Sequence, residues 1–322
     1  MDSRSNAKST SIFVCVRENA LKIGAGLLVS GVVALAVFGP APNARAQDVK
    51  ADAKVTSCVS PIASCGCTIT KSGFYRLAND LMSSQGLTAK NGCIDIKAPK
   101  VILNTGKPVT GGHTNGGFNI TGTGGMTPSG IGVHILKGSN NDFVELPSRI
   151  EGWDVGILVE GNSNIVEDFD AADSFSASAI PNGTAGVEIN GGRNNNINDF
   201  TVGKNKNYGV WLRGASNNQI NCSNTEDNGN IGVYVGCSVN GPINGKCSPA
   251  VPPSNNNFIY DHSARNNTKD GVVIDLGNTG NVVTDVFGSS NGDTDLLDEN
   301  SNCDNNQWFF DSFGTASPSC IE

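Results

Sequence analysis

Short runs of alternating apolar and other residues recur through the second half of the chain. Each run follows the pattern Gly-(Val/Ile)-x-(Ile/Leu/Val), and the copies begin at Gly132, Gly156, Gly186, Gly209, Gly232 and Gly271. A period of two is that of a half-buried strand, and β-branched residues suit a pleated surface. The pattern predicts strands near residues 132–136, 156–160, 186–190, 209–213, 232–236 and 271–275. It also predicts that five residues are buried and stacked on one another: Val133, Val187, Val210, Val233 and Val272.

A second motif, Asn-x-(Asn/Gln/Asp)-apolar, lies about ten residues after several of these runs. Its apolar residue falls at Phe143, Ile165, Ile197, Ile220, Phe258 and Trp308, with a degenerate copy ending at Val282. The steps between these residues are 22, 32, 23, 38, 24 and 26. Asn tolerates the left-handed backbone of turns, and its amide can both donate and accept. If the repeats stack about 4.8 Å apart, the Asn side chains are expected to bond from one repeat to the next.

A repeat of this length, made of short strands and Gly/Asn turns, predicts a solenoid with an all-β fold. Over roughly residues 70–315 the two motifs resemble those of the right-handed parallel β-helix of the pectin lyase-like superfamily. The resemblance implies about eight to ten coils and a cap at the N-terminal end. That superfamily includes lyases, hydrolases, epimerases, adhesins and tailspikes, so the resemblance implies a fold and leaves the activity open. The catalytic sequence runs of polygalacturonases and alginate epimerases are absent.

The N-terminal residues predict an export signal. Four cations precede an apolar run at residues 23–38, and Ala44-Arg45-Ala46 has the form of a cleavage site. The predicted organisation is a signal peptide at 1–46, a cap segment at 47–72, a β-helix at 73–315 and a tail at 316–322. The mature protein is then expected to be secreted, either extracellular or periplasmic, with no membrane contact. An uncleaved membrane anchor is the alternative.

The charge of the chain excludes some classes of partner. The net charge is −8 at pH 7, and removal of the basic signal leaves the remainder more acidic. An acidic surface argues against binding of nucleic acid. It also counts against pectin or alginate as a substrate, unless a cation such as Ca²⁺ bridges the two.

The cysteines predict disulfides, because export places them in an oxidising compartment. Two bridges are expected across short segments, Cys237–Cys247 and Cys303–Cys320. Two more, of open pairing, are expected among Cys58, Cys65, Cys67 and Cys93. Cys222 has no predicted partner. A thiolate metal site at Cys65 and Cys67 is the alternative for those two residues.

Candidate chemistry lies in two columns of residues that the alternation predicts to point outward. The first is His134, Leu158, Glu188, Trp211, Tyr234 and Val273, and the second is Leu136, Glu160, Asn190, Arg213, Gly236 and Asp275. Aromatic rings beside polar groups suit a sugar chain, so Trp211, Tyr234 and His134 are predicted to bind substrate. Glu160 and Glu188 on neighbouring coils are predicted to act as acid and nucleophile with Arg213. The alternative is an ordinary solvated face.

A carboxylate group at Asp168, Asp170 and Asp173 is the candidate site for Ca²⁺, which takes six to eight oxygen ligands. The alternative is an exposed acidic loop. Together these features predict a secreted protein that interacts with polysaccharide, as a lyase or a glycoside hydrolase. The competing interpretation is a non-catalytic β-helix with an adhesive or structural role.

Overall fold

The computed structural model describes residues 56–83, 91–106, 116–124, 128–147, 149–171, 180–237 and 251–321. The regular structure of these residues consists of β-strands and one 3₁₀ turn at Ser301–Cys303. The strands are, in chain order, β1 Thr56–Ser57, β2 Cys67–Ile69, β3 Gly73–Arg76, β4 Leu81–Met82, β5 Gly92–Ile96, β6 Val101–Asn104, β7 Ile120–Thr121, β8 Ile131–Ile135, β9 Phe143–Glu145, β10 Ile150–Glu151, β11 Val155–Val159, β12 Ile165–Ala171, β13 Ala185–Asn190, β14 Asn196–Gly203, β15 Tyr208–Arg213, β16 Gln219–Glu226, β17 Val233–Val235, β18 Phe258–Arg265, β19 Val272–Ile274, β20 Val282–Ser289, β21 Leu296–Asp298, β22 Gln307–Phe309 and β23 Ala316–Ser317.

These strands form three sheets in which every pairing is parallel. The first sheet has the order β1-β2-β5-β8-β11-β13-β15-β17-β19-β21-β23, and the second has the order β22-β20-β18-β16-β14-β12-β9-β6-β3. A third sheet pairs β10, β7 and β4. From β5 onward the chain passes alternately between the first and second sheets, with one strand of each in every coil. The predicted all-β parallel solenoid is therefore confirmed.

The register of the first sheet agrees with the prediction from the Gly-led runs. Val133, Val187, Val210, Val233 and Val272 are fully buried and belong to one core. Val187 pairs with Val210, and Val210 pairs with Val233. The predicted and observed strand limits differ by one residue or less at each start, because the alternation itself defines which residues face the core.

Glycine begins each run because there is no room for a side chain there. A Cβ on Gly209 would lie 2.6 Å from the carbonyl oxygen of Gly232 and 2.9 Å from the Nδ2 atom of Asn228. A Cβ on Gly156 would lie 2.6 Å from the carbonyl oxygen of Gly186. The repeated Gly thus reflects close contact between the backbones of successive coils.

In the second sheet the apolar residue that ends the Asn motif does not always face the core. Ile165 pairs with Asn196, and Val166 pairs with the buried Ile197. The apolar residues of the motif that lie outside the core are Phe143, Ile165, Phe258 and Val282. The residue after each of them is fully buried. A slip of one position moves a side chain to the opposite face of a strand.

The Asn residues form the ladder that the repeat predicts. In each step an Asn Oδ1 atom accepts from the backbone N–H of the ladder residue in the preceding coil, at 2.9–3.0 Å. The members are Asn164, Asn195, Asn218, Asn257, Asn281 and Asn306. All are buried. The ladder therefore satisfies polar groups inside the solenoid, where an unpaired group would be costly.

A second Asn ladder, which the sequence motif did not reveal, follows the turns that lead back into the first sheet. Here Nδ2 donates to the Oδ1 of the next coil at 2.9–3.0 Å. Its members are Asn182, Asn205, Asn228, Asn267 and Asn291. These Asn residues lie in Asn-rich turns between apolar runs, which is the signal that could have identified them.

Three disulfides join described residues: Cys58–Cys67, Cys65–Cys93 and Cys303–Cys320. The last bridge confirms the prediction for the C-terminal tail, and the first two give the pairing of the N-terminal cysteines. Because Cys65 and Cys67 are both bridged, they do not form the alternative thiolate metal site. Cys222 and Cys237 are also disulfide-bonded. The predicted Cys237–Cys247 bridge involves Cys247, which lies outside the described residues, as does the predicted signal peptide.

Candidate functional site

The first outward column lies in the register that the alternation predicts. His134 pairs with Leu158, Glu188 with Trp211, and Trp211 with Tyr234. Its exposure, however, differs from the prediction. Trp211 is 1% exposed and Tyr234 is 3% exposed. The expectation that both rings stand open for sugar stacking is therefore wrong.

The aromatic side chains instead pack into a second apolar cluster on this face of the sheet. The ring of Tyr208 stacks on that of Tyr234, with centroids 5.1 Å apart. The Trp211 indole donates from Nε1 to the carbonyl oxygen of Gly236 at 3.0 Å, and Tyr234 Oη donates to Asp275 Oδ2 at 2.6 Å. Both polar ends are thus satisfied inside the protein. The cluster forms a rigid support for neighbouring side chains.

The open part of this face is a cleft at the ends of β13 and β15. It has a volume of about 230 Å³. Its polar lining comes from Lys137, Glu160, Asn190 and Arg213, and its apolar wall comes from Val251 and Pro252. Two cations, one carboxylate and one amide thus converge on a space large enough for part of a sugar chain.

Arg213 lies at the centre of this cleft and is fixed from two sides. Its guanidinium carbon lies 5.1 Å from the centroid of the buried Trp211 ring, within cation–π range. Its Nη1 atom lies 3.6 Å from Glu188 Oε1. The structure therefore brings together Arg213 and Glu188, as the columns predicted.

Glu188 lies beneath Arg213, and its side chain is only 7% exposed. Burial raises the pKa of its carboxyl to about 7, although the charge of Arg213 opposes this change. The negative charge of Glu160 raises the pKa of Glu188 further. Near neutral pH, Glu188 can thus hold or release a proton, as a general acid must.

Glu160 has a different environment from Glu188. Its side chain is 30% exposed, and its Oε2 atom lies 3.0 Å from the Nε2 atom of His134. The imidazole is buried and its Nδ1 atom lies 3.4 Å from Asp95 Oδ1. Burial alone would lower the pKa of His134, but the neighbouring carboxylates of Asp95 and Glu160 raise it to about 9. His134 is 5% exposed, so it is not open to a substrate, contrary to the prediction.

The candidate calcium residues are only partly described. Asp168 adopts a left-handed conformation at φ 62°, in the middle of β12. Asp199, Asp261 and Asp285 occupy the equivalent position of other coils, also with positive φ. Asp and Asn tolerate this conformation best among non-glycine residues, so a backbone requirement accounts for Asp168.

The side chain of Asp170 and all of Asp173 lie outside the described part of the chain. Within the described residues, no group of three or more His, Cys, Asp or Glu is arranged to hold a metal ion. The Ca²⁺ site stays a prediction.

Three residues of this face were not selected as site residues from the sequence. Lys137 and Asn190 line the cleft, and Asp95 contacts His134. Asp95 pairs directly with His134 across β5 and β8. Extending the first column by one strand, to the Ile94-Asp95-Ile96 alternation, was the signal that could have found it.

Comparison with known proteins identifies the class of fold. No protein-family model matches the chain. No curated protein matches it either. Among solved structures, the enzymatically active domain of bacteriophage CBA120 tailspike protein 2 matches with a TM-score of 0.55 at 12% identity. That match covers 80% of this chain and 39% of the tailspike chain.

Pectate lyase Pel9A matches with a TM-score of 0.51 at 13% identity, over 83% of this chain and 67% of that one. A mutant of the periplasmic alginate epimerase AlgG matches with a TM-score of 0.49 at 13% identity, over 78% of this chain and 57% of that one. The tailspike domain and the pectate lyase are right-handed parallel β-helix proteins, and the protein described here has that fold. At these identities the likeness shows the fold alone.

In the described residues, no helix is long and apolar enough to span a membrane.

Proposed function

We propose that this protein is an exported β-helix that binds a polysaccharide chain in the cleft around Arg213. The observation that carries the proposal is the convergence of Lys137, Glu160, Asn190 and Arg213 on one open space. Charged and amide groups of this kind fix the hydroxyl and acidic groups of a glycan. Pectate lyase Pel9A, which shares the fold, supports a glycan ligand by its name.

Export is supported by the disulfides. Three bridges join described residues, and Cys222 and Cys237 are bonded as well. Bridges of this density persist in oxidising compartments. They agree with the predicted signal peptide at residues 1–46 and with a place outside the cytoplasm.

A second candidate function is glycoside hydrolysis by the Glu160 and Glu188 carboxyls. Glu188 lies on β13, Glu160 directly follows the neighbouring strand β11, and the charge of Glu160 raises the pKa of Glu188. Glu188 is buried with a raised pKa, whereas Glu160 is half-buried beside an imidazolium. Two carboxyls in such different environments can divide the roles of proton donor and nucleophile. Arg213 would hold the glycan above them.

The test is a glycan array combined with a screen of polysaccharide degradation, each with and without Ca²⁺. Unsaturated products that absorb in the ultraviolet indicate a lyase, and new reducing ends without them indicate a hydrolase. Binding without either product indicates a non-catalytic protein. Dependence of any of these on Ca²⁺ would support the predicted calcium site at Asp168, Asp170 and Asp173.

Variants connect the result to the cleft. Arg213→Ala is expected to weaken glycan binding, whereas Lys269→Ala, an exposed residue of a turn far from the cleft, should leave it unchanged. Glu188→Gln is expected to retain binding and to lose any hydrolysis. If Arg213→Ala and Lys269→Ala bind equally well, the glycan does not occupy this cleft.

A further inference from the structure

The outer face of the second sheet carries a stripe of apolar side chains at its N-terminal end. One outward residue of each strand forms it: Phe74 on β3, Ile102 on β6, Phe143 on β9 and Ile165 on β12. Each of them pairs directly with the next in this order. Phe74 is 58% exposed, Ile102 44% and Ile165 38%. We name these four residues the apolar stripe.

The stripe is not required by the core of the solenoid. The core is filled by inward residues of the same strands, such as Leu103 and Val166, which are fully buried. On the next two strands, β14 and β16, the position equivalent to the stripe is occupied by Asn196 and Gln219. The position itself thus accepts polar residues, and a run of four neighbouring apolar side chains in contact with water is typical of an interaction surface.

A second outward column, two residues further along the same strands, carries charge at its two ends. Its members are Arg76, Asn104, Glu145 and Glu167, and they also pair in this order. The two middle side chains bond to one another, since Asn104 Nδ2 donates to Glu145 Oε2 at 2.6 Å. The cation of Arg76 and the carboxylate of Glu167 are the ends of the column.

Arg76 and Glu167 are too far apart to pair within one chain. Three strand spacings of about 4.8 Å separate them, which is about 14 Å. Neither forms an ion pair with any residue that the structure describes. Glu167 accepts one hydrogen bond, from Asn198 Nδ2 at 3.1 Å, which leaves its charge without a cation there.

The two columns are together complementary to themselves. A two-fold axis along the strand direction, midway between β6 and β9, places a second copy face to face with its coil order reversed. Phe74 then faces Ile165 of the second copy, and Ile102 faces Phe143 of the second copy. The same rotation sets each Arg76 opposite a Glu167. An isologous interface needs a surface of this kind, because one patch must fit itself.

We propose that the apolar stripe is the interface of a reversible dimer of this chain, in which two solenoids pack face to face with opposite coil order. Four strands span about 19 Å along the solenoid axis, so the contact falls among the small interfaces, below about 1,200 Å², that transient complexes use. The interface does not include the cleft around Arg213, which lies on the first sheet. The inference is therefore independent of the proposed function.

The test is sedimentation velocity of the exported protein over a series of concentrations. Ile102→Ser removes an apolar contact at the centre of the stripe. Arg76→Glu and Glu167→Arg each place like charges opposite one another, and the double variant restores opposite charges in exchanged positions. The control is Lys269→Glu, which changes the charge as Arg76→Glu does, at an exposed residue of a distant turn.

The wild type and Lys269→Glu should share one dissociation constant. Ile102→Ser should raise it about tenfold or more, because a buried side chain of this size is worth about 1.5–3 kcal/mol. Each single charge variant should raise it about fivefold, since two weak ion pairs become two repulsions. The double variant should return to about the wild-type value. Such a return requires contact between copies, because the two residues do not meet within one chain.

The charge exchange keeps the test decisive where Ile102→Ser lowers the melting temperature. A wild type that stays monomeric at its highest soluble concentration would overturn the proposal. If it nevertheless sediments with phosphatidylcholine vesicles, the stripe faces a lipid surface instead. A dimer that all the variants leave unchanged lies on another face, and one that the double variant does not restore lacks the two-fold register; either result would refute the proposed interface.

Discussion

Removal of one rung of the buried Asn ladder should destabilise the whole solenoid. Asn218 Oδ1 accepts from the backbone N–H of Asn195 at 2.9 Å and from its Nδ2 at 3.0 Å. Asn218→Ala leaves the buried backbone N–H of Asn195 without a partner, whereas Asn195 Nδ2 still donates to the Gly161 carbonyl oxygen at 3.1 Å. A buried, unsatisfied donor costs about 1–3 kcal/mol, and this is the expected loss of unfolding free energy.

The Gly192 carbonyl, which also accepts from Asn218, contributes less. It still accepts from the backbone N–H of Ser216 at 3.4 Å after the substitution. The Asn257 amide likewise keeps its bond from the backbone N–H of residue 218. The prediction therefore rests on the backbone N–H of Asn195.

Urea unfolding of the wild type and the variant measures the difference, provided that the slopes of the transitions agree. The matched control is Gln219→Ala, at the next residue, which is exposed and begins β16. It should change the stability by less than about 0.5 kcal/mol. If Asn218→Ala were as mild as Gln219→Ala, the ladder would be a consequence of the stacking and not a source of stability.

Three further outcomes follow from individual contacts. Burial raises the pKa of Glu188 to about 7, so the stability that its protonated form contributes is present below its ordinary pKa of 4.5 and is lost as the pH rises through 7. In urea, the unfolding free energy of the wild type should therefore fall relative to that of Glu188→Gln between pH 5 and pH 8. A difference between the two proteins that stays constant over this range would contradict the assignment. Gly209→Ala should destabilise by about 1–3 kcal/mol, because the new Cβ would lie 2.6 Å from a backbone oxygen of the next coil; a melting temperature equal to that of the wild type would show that the coils can separate freely. Non-reducing peptide mapping of exported protein should recover the bridges Cys58–Cys67, Cys65–Cys93 and Cys303–Cys320. Replacing both cysteines of the last bridge by serine should lower the unfolding free energy by about 3 kcal/mol. Free thiols at these positions would contradict both the pairing and the export.

The first sheet could be predicted from the sequence because two independent signals agree there. Gly209 marks a position where coils are in contact, and Val210 and Leu212 alternate with the outward Trp211. A helix or a slipped register would bury a different set of residues. The local pattern and the stacking therefore have one common solution.

The second sheet could not be aligned so reliably because its turns contain several Asn residues. A left-handed residue comes directly before four of the ladder residues: Ser163, Asn194, Asn217 and Asn256. Each of these ladder residues is followed by one outward and then one inward residue. The motif alone therefore does not show whether its apolar residue faces the core, since Ile197 is fully buried and Ile165 is exposed.

The columns predicted that Glu188 lies close to Arg213, and the structure places the two side chains 3.6 Å apart. They did not predict how far this face is covered. Alternation shows which face a residue points to, but it does not show what covers that face. Tyr208 and Trp211 lie on β15, and Tyr234 lies on the neighbouring strand β17. Their mutual burial is a property of the stacked coils and not of any single run.

Hydrogen–deuterium exchange with the tightest-binding glycan tests the central claim most directly. The account predicts slower exchange in the turns that follow β8, β11, β13 and β15, which contain Lys137, Glu160, Asn190 and Arg213. Peptides of β18 and β20 in the second sheet should be unchanged. Protection confined to the second sheet, or none in these turns while the glycan is bound, would contradict the assignment of the cleft.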